Sequence, residues 1–402
     1  MSPYATDRLV IVPDDIDLTK SPLAGHFDAE TYVLGAFNPG FTRLPNGNLL
    51  MMVRVAEALK TPIFDQNVHA IRWEAAEDAS GGRREPAQDK PGGRYVLDAW
   101  PLELVDTADP RKFMLRGGNG SWRIMALTSL SWLLPVELSP DGLERVAIHY
   151  DRAIAPHASF QCYGIEDARI TRIEDRWLMT TCSVSPERHS TTLYSSDNGL
   201  DWRFEDIVLD HQNKDMLIFE GRIRGQYWAQ TRPLGDLYFA YPPGSEWRAG
   251  PSINLASSPD ALHWKPVQAP GIRPHANAIA TARIGGGAPP IRADVGGEGG
   301  WLTLWHGVEP KEIVGIYRTY WSLLDPREPS RVIRTSDQPL IEANPELTRP
   351  IEHQVYIRDV VFTTGIADGD DRGSAPGHYI VASGEGDLAC RVTHVPKAVF
   401  AE

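Results

Sequence analysis

Three cysteines in 402 residues are too few and too widely spaced for a disulfide framework, and Cys162, Cys182 and Cys390 match no zinc pattern. Long apolar runs are also missing. No stretch approaches the roughly 18 residues of a membrane span, and the opening MSPYATDRLVIVPDDIDLTK has no basic segment leading into an apolar core. Positive charge is scarce: 40 Lys and Arg against 53 Asp and Glu leave a net charge of −13. That balance argues against a nucleic-acid or anionic-membrane partner, though it leaves room for a small basic pocket. The expectation is a soluble, cytoplasmic protein.

Helical periodicity is scarce as well. In its place are short alternating runs rich in Val, Ile, Thr, Tyr and Trp, such as Trp177-Leu178-Met179-Thr180-Thr181 and Trp301-Leu302-Thr303-Leu304-Trp305, separated by Gly, Pro, Asn and Asp. With 35 Gly and 32 Pro, the economical reading is an all-β chain. Three segments repeat a Ser-x-(Asp/Asn)-x-Leu pattern, SPDGL from Ser139, SDNGL from Ser196 and SPDAL from Ser258, at spacings of 57 and 62 residues. Trp202 and Trp264 follow the Leu by two residues in the last two. An Asp or Asn turn closing an outer hairpin, with Leu and Trp packed between blades, explains the pattern. About five such units fill the chain, which predicts a single five-bladed β-propeller over residues 1–402. Residues 1–29 are expected to be an N-terminal extension. The polar stretches 76–94 and 367–377, rich in Gly and Pro, are expected to be exposed loops.

In a propeller, strand ends from different blades converge at the central opening, so site residues should be scattered along the sequence. The stretch YGIEDARITRIEDRW from Tyr163 places Asp167 beside Glu166 at the mouth of a strand-like run. Desolvation and the like charge would raise its pKa, as a general acid requires; an ion pair between Asp167 and Arg169 is the plainer reading. In HQNKDMLIFEGRIRGQYWAQTRP from His211, a hairpin return would bring Lys214 and Arg232 to one end, a cationic pocket suited to phosphate. The glycine run RIGGGAPP from Arg283 is not a nucleotide loop, because Pro289-Pro290 forbids a helix directly after it; a tight connection between blades is expected. No His-x-x-x-His pair lies on a helix-like segment, so no catalytic metal is expected.

These motifs resemble glycoside hydrolase family 130, the β-mannoside phosphorylases and β-mannosidases. FNPG from Phe37, LTSLSWL from Leu127, YGIEDARIT, NKD from Asn213, RP at Arg232, ARIGGGAPP, WHGV from Trp305, SLLDP from Ser322 and VVFTTG from Val360 follow the family order over nearly the whole chain. The resemblance implies a five-bladed propeller in which Asp167 is the general acid of an inverting reaction on a β-mannoside. The proton would pass through the 3-hydroxyl of the mannosyl unit while phosphate attacks the anomeric carbon, giving α-mannose 1-phosphate. It implies phosphate binding by Arg54, Lys214 and Arg232, and a mannosyl site lined by Asn38, Arg169, Asp215, His306, Tyr317, Phe362 and Asp387. The partners implied are a small oligosaccharide and inorganic phosphate as co-substrate, with no cofactor; a homo-oligomer is compatible with the sequence. The chain departs from the family at Ala168, at Trp132, at Ile279-Ala280-Thr281, in ASGEGD from Ala382, and at Phe219-Glu220-Gly221-Arg222, which puts a carboxylate where the phosphorylases usually have proline. Glu220 is the candidate base of the alternative activity, hydrolysis by an inverting β-mannosidase.

Overall fold

A computed structural model of the protein describes residues 3–76, 92–116, 122–233, 244, 252–267, 271–273 and 283–401. These residues are nearly all β. Five four-stranded antiparallel sheets follow one another along the chain. Their first strands are Thr31–Arg43, Ile165–Ile173, Asn213–Ile218, Arg283–Val295 and Val361–Asp368. Two three-stranded sheets, formed from residues 63–127, are inserted between the second and third strands of the first sheet. No helix among the described residues is long and apolar enough to cross a membrane.

The first strands are buried for most of their length because they face one another. Thr171 Oγ1 donates to the Ile218 carbonyl (2.6 Å), Arg169 Nε to Gly287 O (2.8 Å) and Thr364 Oγ1 to Pro39 O (2.6 Å), so strands of different sheets meet at the centre. Five apolar clusters then link each sheet to the next. Met52 and Leu133 meet Ile170 and Met179; Leu178 and Leu193 meet Met216 and Ile218; Leu255 meets Trp301. Leu302 and Leu304 meet Val361 and Val381, and Ile380 and Val392 return to Met51 and Val53 of the first sheet.

The Ser-x-(Asp/Asn) repeat lies where its chemistry requires, between the third and fourth strands of the first three sheets. Asp141 Oδ1 accepts from Leu143 N (3.1 Å), Asn198 Oδ1 from Leu200 N (2.9 Å) and Asp260 Oδ1 from Leu262 N (2.9 Å). Asp325 does the same in the fourth sheet, accepting from Arg327 N at 2.8 Å, in a segment whose sequence hides the pattern. Trp202 and Trp264 pack against the clusters between sheets.

Two expectations need correction. Residues 1–29 are more than an extension: Asp7–Ile11 is the outer strand of the fifth sheet, paired with the strand Ala389–Pro396. Its anchor is the buried Arg391, whose guanidinium grips both oxygens of Asp7 (2.6 and 2.8 Å) and reaches Glu385 at 2.8 Å. The RIGGGAPP run is not a connection but part of an inner strand, bulged between Gly286 and Ile291. Glycine is required there by crowding: a Cβ on Gly286 would lie 2.2 Å from Leu217 Cδ1, and one on Gly287 2.7 Å from Leu304 O. In the stretch 367–377, residues 370–373, 376 and 377 are exposed as expected, while Ala367, Gly369 and Ala375 are buried. Most of 76–94, and Ile279-Ala280-Thr281, lie outside the described residues.

Candidate active site

Three inner strands break their pairing register at the same point, between Phe37 and Gly40, between Glu166 and Arg169, and between Lys214 and Leu217. At each break a short polar residue takes a left-handed backbone: Asn38 (φ 47°), Asp167 (51°) and Asp215 (57°). Such a bulge ends the alternation of faces. Two successive side chains therefore face one cavity, Phe37 with Asn38, Glu166 with Asp167, and Lys214 with Asp215. Non-glycine residues at positive φ are costly and gather at functional sites. Asp387, on the turn after His378–Glu385, has φ 50° and lines the same cavity.

The cavity has a volume of about 580 Å³, within the range of small-molecule sites. Seven cationic and five acidic side chains line it, a positive excess in a chain of net charge −13. Asp167 Oδ1 accepts from Arg54 Nη1 (3.0 Å) and Asn38 Nδ2 (3.1 Å). Glu166 divides its oxygens between two cations, Arg54 Nη2 (2.9 Å) and Lys214 Nζ (2.8 Å). Lys214 and Arg232 are cross-strand partners, and Arg232 donates through Nε and Nη2 to Asp215 Oδ2, each at 2.7 Å. The hairpin return thus brings the two cations together.

The electrostatics of the acid differ from the sequence expectation. Burial does raise the Asp167 carboxyl, but Arg54, Lys214 and Arg169 outweigh it and hold Asp167 well below the usual carboxylate range. Burial pulls the Lys214 ammonium down, but Glu166, Cys182 and Asp167 outweigh it and hold Lys214 above the usual lysine range, strongly protonated. Asp387 goes the other way: burial is the largest influence and its carboxyl is raised. Arg169 is not the ion-pair partner of Asp167. Its guanidinium lies beneath the cavity, donating to the carbonyls of Asp167, Ala168 and Gly287, with Nη2 3.6 Å from Asp215 Oδ1.

His306, Tyr317 and Phe362 form an aromatic wall, with His306 4.5 Å from the Phe362 ring and 5.7 Å from the Tyr317 ring. Burial pushes the His306 imidazole down to about 3, so it is neutral at physiological pH. Among the described residues, Asn38 Oδ1 and His306 Nδ1 are buried without hydrogen-bond partners, and Arg169 Nη2 and Asp215 Oδ1 face only each other, at 3.6 Å. Unsatisfied polar atoms beside one cavity suit a ligand with several hydroxyls.

Of the twelve residues expected at the site, ten line this cavity, Arg169 supports it from below, and Glu220 does not belong to it. Glu220 follows the far end of its strand and lines a second cavity with Arg172, Asp368 and Asp371. Six residues after Lys214 on an extended strand is a distance on the order of 20 Å. Sequence reasoning did not assign Glu166, Arg111, His189, Arg283 and Tyr356, which also line the cavity. Glu166 was legible as the neighbour of Asp167, whereas Arg283 was hidden because its segment reads as a connection rather than as the inner strand it opens. Arg111 comes from the inserted sheets, where no local signal marks it.

The chain matches the glycoside hydrolase family 130 model, described as beta-1,4-mannooligosaccharide phosphorylase, over residues 122–395. It is 29% identical over 348 residues to the beta-1,2-mannobiose phosphorylase of Listeria innocua serovar 6a, covering 84% of each chain. It is 31% identical over 241 residues to a 1,2-beta-oligomannan phosphorylase of Thermoanaerobacter sp. strain X514, covering 58% of this chain and 70% of that one. In structure it is similar to the Listeria innocua beta-1,2-mannobiose phosphorylase bound to beta-1,2-mannobiose, with TM-score 0.71, 24% identity and 98% of each chain covered. The matched span takes in the bulges at Asp167 and Asp215, Lys214, Arg232 and the aromatic wall, and the chain belongs to glycoside hydrolase family 130.

Proposed function

We propose that the protein is an inverting β-mannoside phosphorylase, transferring a mannosyl unit from a short β-1,2-mannoside to inorganic phosphate to give α-mannose 1-phosphate. The observation that carries this reading is the charge arrangement in the first cavity. Arg54, Lys214 and Arg232 converge beside Asp167 in a strongly acidic chain. A hydrolase has no anion to hold and needs a carboxylate base for its water, and Glu220 lies in the other cavity. The β-1,2 linkage rests on the curated relatives, whose names specify it, against the β-1,4 of the family description. We read the five sheets as blades of one propeller domain spanning residues 1–402; the cyclic order of the five apolar clusters supports this.

In this mechanism Asp167 is the general acid, and Arg54, Lys214 and Arg232 bind phosphate. Asn38, Asp215, His306, Tyr317, Phe362 and Asp387 surround the mannosyl unit, and Arg169 holds the bulge from beneath. Without ligand the two nearest cations keep Asp167 ionised. Phosphate bound to Arg54 and Lys214 supplies negative charge that offsets them, so the Asp167 pKa rises toward the protonated form that an acid needs. The proton then passes to the leaving oxygen, by way of the sugar 3-hydroxyl, while phosphate attacks the opposite face of the anomeric carbon. Inorganic phosphate is the co-substrate and no other cofactor is needed.

The test is to incubate the enzyme with β-1,2-mannobiose with and without phosphate and to quantify mannose 1-phosphate and free mannose. Equal amounts of both sugars, formed only with phosphate, are expected. Two free mannoses per disaccharide in either tube would make the enzyme a hydrolase.

A further inference from the structure

The cations that line or support the cavity are almost all engaged. Arg54 and Lys214 pair with Glu166 and Asp167, Arg232 with Asp215, Arg111 and Lys112 with Asp109, and Arg188 with Asp210. Arg283 differs. No ion pair or hydrogen bond from its side chain is present among the described residues, although its side chain is largely buried and lines the cavity. Its guanidinium carbon lies 5.3 Å from the centre of the Tyr317 ring. Stacking on an aromatic face fixes the orientation of a guanidinium while leaving its N–H donors free.

Its neighbourhood is positive. Burial, followed by the charge of Arg232, lowers the Arg283 pKa below the usual arginine value, while Asp215 acts in the opposite direction. Arg283 and Gly285 lie on the same side of one strand, and a Cβ on Gly285 would come within 2.6 Å of Arg232 Nε. The two guanidiniums therefore share one wall, and the Asp215 carboxylate is already bound to Arg232 through Oδ2. A desolvated cation without a counter-ion, held beside a second cation, is unfavourable until an anion arrives, and a guanidinium fork matches phosphate oxygens in pairs.

We propose that Arg283 is a phosphate-binding residue of this enzyme, the one that meets the incoming anion with an uncompensated charge and holds it jointly with Arg232. The inference rests on the phosphorylase reading and adds a fourth cation to Arg54, Lys214 and Arg232. Phosphate gains more from Arg283 than from a cation it must share with Glu166 or Asp215, because no carboxylate interaction is weakened in exchange.

The test is calorimetric titration of inorganic phosphate into the full-length enzyme and its Arg283→Gln and Arg283→Lys variants, alongside initial rates at varied phosphate and varied β-1,2-mannobiose. Arg283→Gln should weaken phosphate binding and raise the phosphate KM by about tenfold or more, with the disaccharide KM little changed. Arg283→Lys should fall between, since an ammonium keeps the charge and loses the fork. Phosphate affinity equal to wild type in both variants, or a loss confined to the disaccharide KM, would overturn the inference while leaving the phosphorylase reading intact. Absence of phosphate binding by the wild-type enzyme would overturn both. Should Arg283→Gln fold poorly, as read by its melting temperature, Arg283→Lys decides alone, and a phosphate KM equal to wild type would refute the role.

Discussion

At one end of the inner strands, Glu166, Asp167 and Asp215 sit at bulges, buried and tied to Arg54, Lys214 and Arg232 at 2.7–3.0 Å. At the other end, Glu220, Asp368 and Asp371 line a second cavity, of about 730 Å³, with Arg43, Arg172 and Arg372. Residue types and volumes are alike, yet the organisation differs. In the second cavity the Arg43–Asp371 contact is 3.8 Å with the Asp largely exposed, and Glu220 is an exposed residue without a side-chain hydrogen bond among the described residues. Charge at the end of a strand can reach solvent and relax. Charge on a buried bulge cannot, so it must be paired there, and it stays where the pairing holds it. A charged residue type is therefore weak evidence for a site, whereas a buried charge on a left-handed backbone is strong evidence.

Substitutions at the two ends should separate these regimes. The largest effect is expected for Asp167→Asn, which keeps the shape and hydrogen-bonding capacity near Arg54 but cannot deliver a proton; kcat should fall by roughly 10²–10⁴-fold, read from mannose 1-phosphate formation with the melting temperature as a control. Next come Lys214→Ala and Arg232→Ala. Each removes a charge-assisted contact to phosphate, costing about 2 to 3 kcal/mol, and should raise the phosphate KM by roughly 30- to 150-fold or abolish turnover. An unaltered phosphate KM in both variants would place the anion elsewhere.

A smaller effect distinguishes the ends by pH. The Asp167 carboxyl is depressed in the folded protein, so its stabilising contribution is present above the unfolded pKa of about 4 and is lost as the pH falls toward the folded value. The stability gap between wild type and Asp167→Asn should therefore narrow as acid is added below about pH 4. Glu220 has the opposite sign. The protein around its carboxyl, followed by the Asp371 charge, raises its pKa, an effect that solvent screening reduces because the residue is exposed, so ionisation weakly disfavours folding as the pH rises. Glu220→Gln should be neutral in kcat and in phosphate KM, and should flatten that pH slope slightly, since the group is solvent-exposed. A loss of turnover in Glu220→Gln would break the comparison.

Much of this was legible in the sequence. Alternating Val, Thr and Trp runs gave the strands, and the Ser-x-(Asp/Asn) turns marked three outer hairpins, because a side-chain oxygen capping a turn is a local device. The motif order placed Asn38, Arg54, Asp167, Lys214, Asp215 and Arg232 together. What the sequence hid depends on contacts between distant segments. The glycine run could not show that it packs against Leu217 and Leu304 across strands, nor Asp7–Ile11 that it completes the sheet of Ala389–Pro396. The sign of the Asp167 shift depends on Arg54 and Lys214, 113 and 47 residues away along the chain, and a reading limited to its neighbour Glu166 gave the opposite sign.

The most direct measurement of the central claim is the reverse reaction, in which the enzyme is given α-mannose 1-phosphate and mannose and released phosphate is followed together with new disaccharide. The account predicts one phosphate released per β-mannoside formed by the wild-type enzyme, and neither product from Asp167→Asn. Mannose 1-phosphate left untouched, while β-1,2-mannobiose is cleaved in phosphate-free buffer, would contradict it.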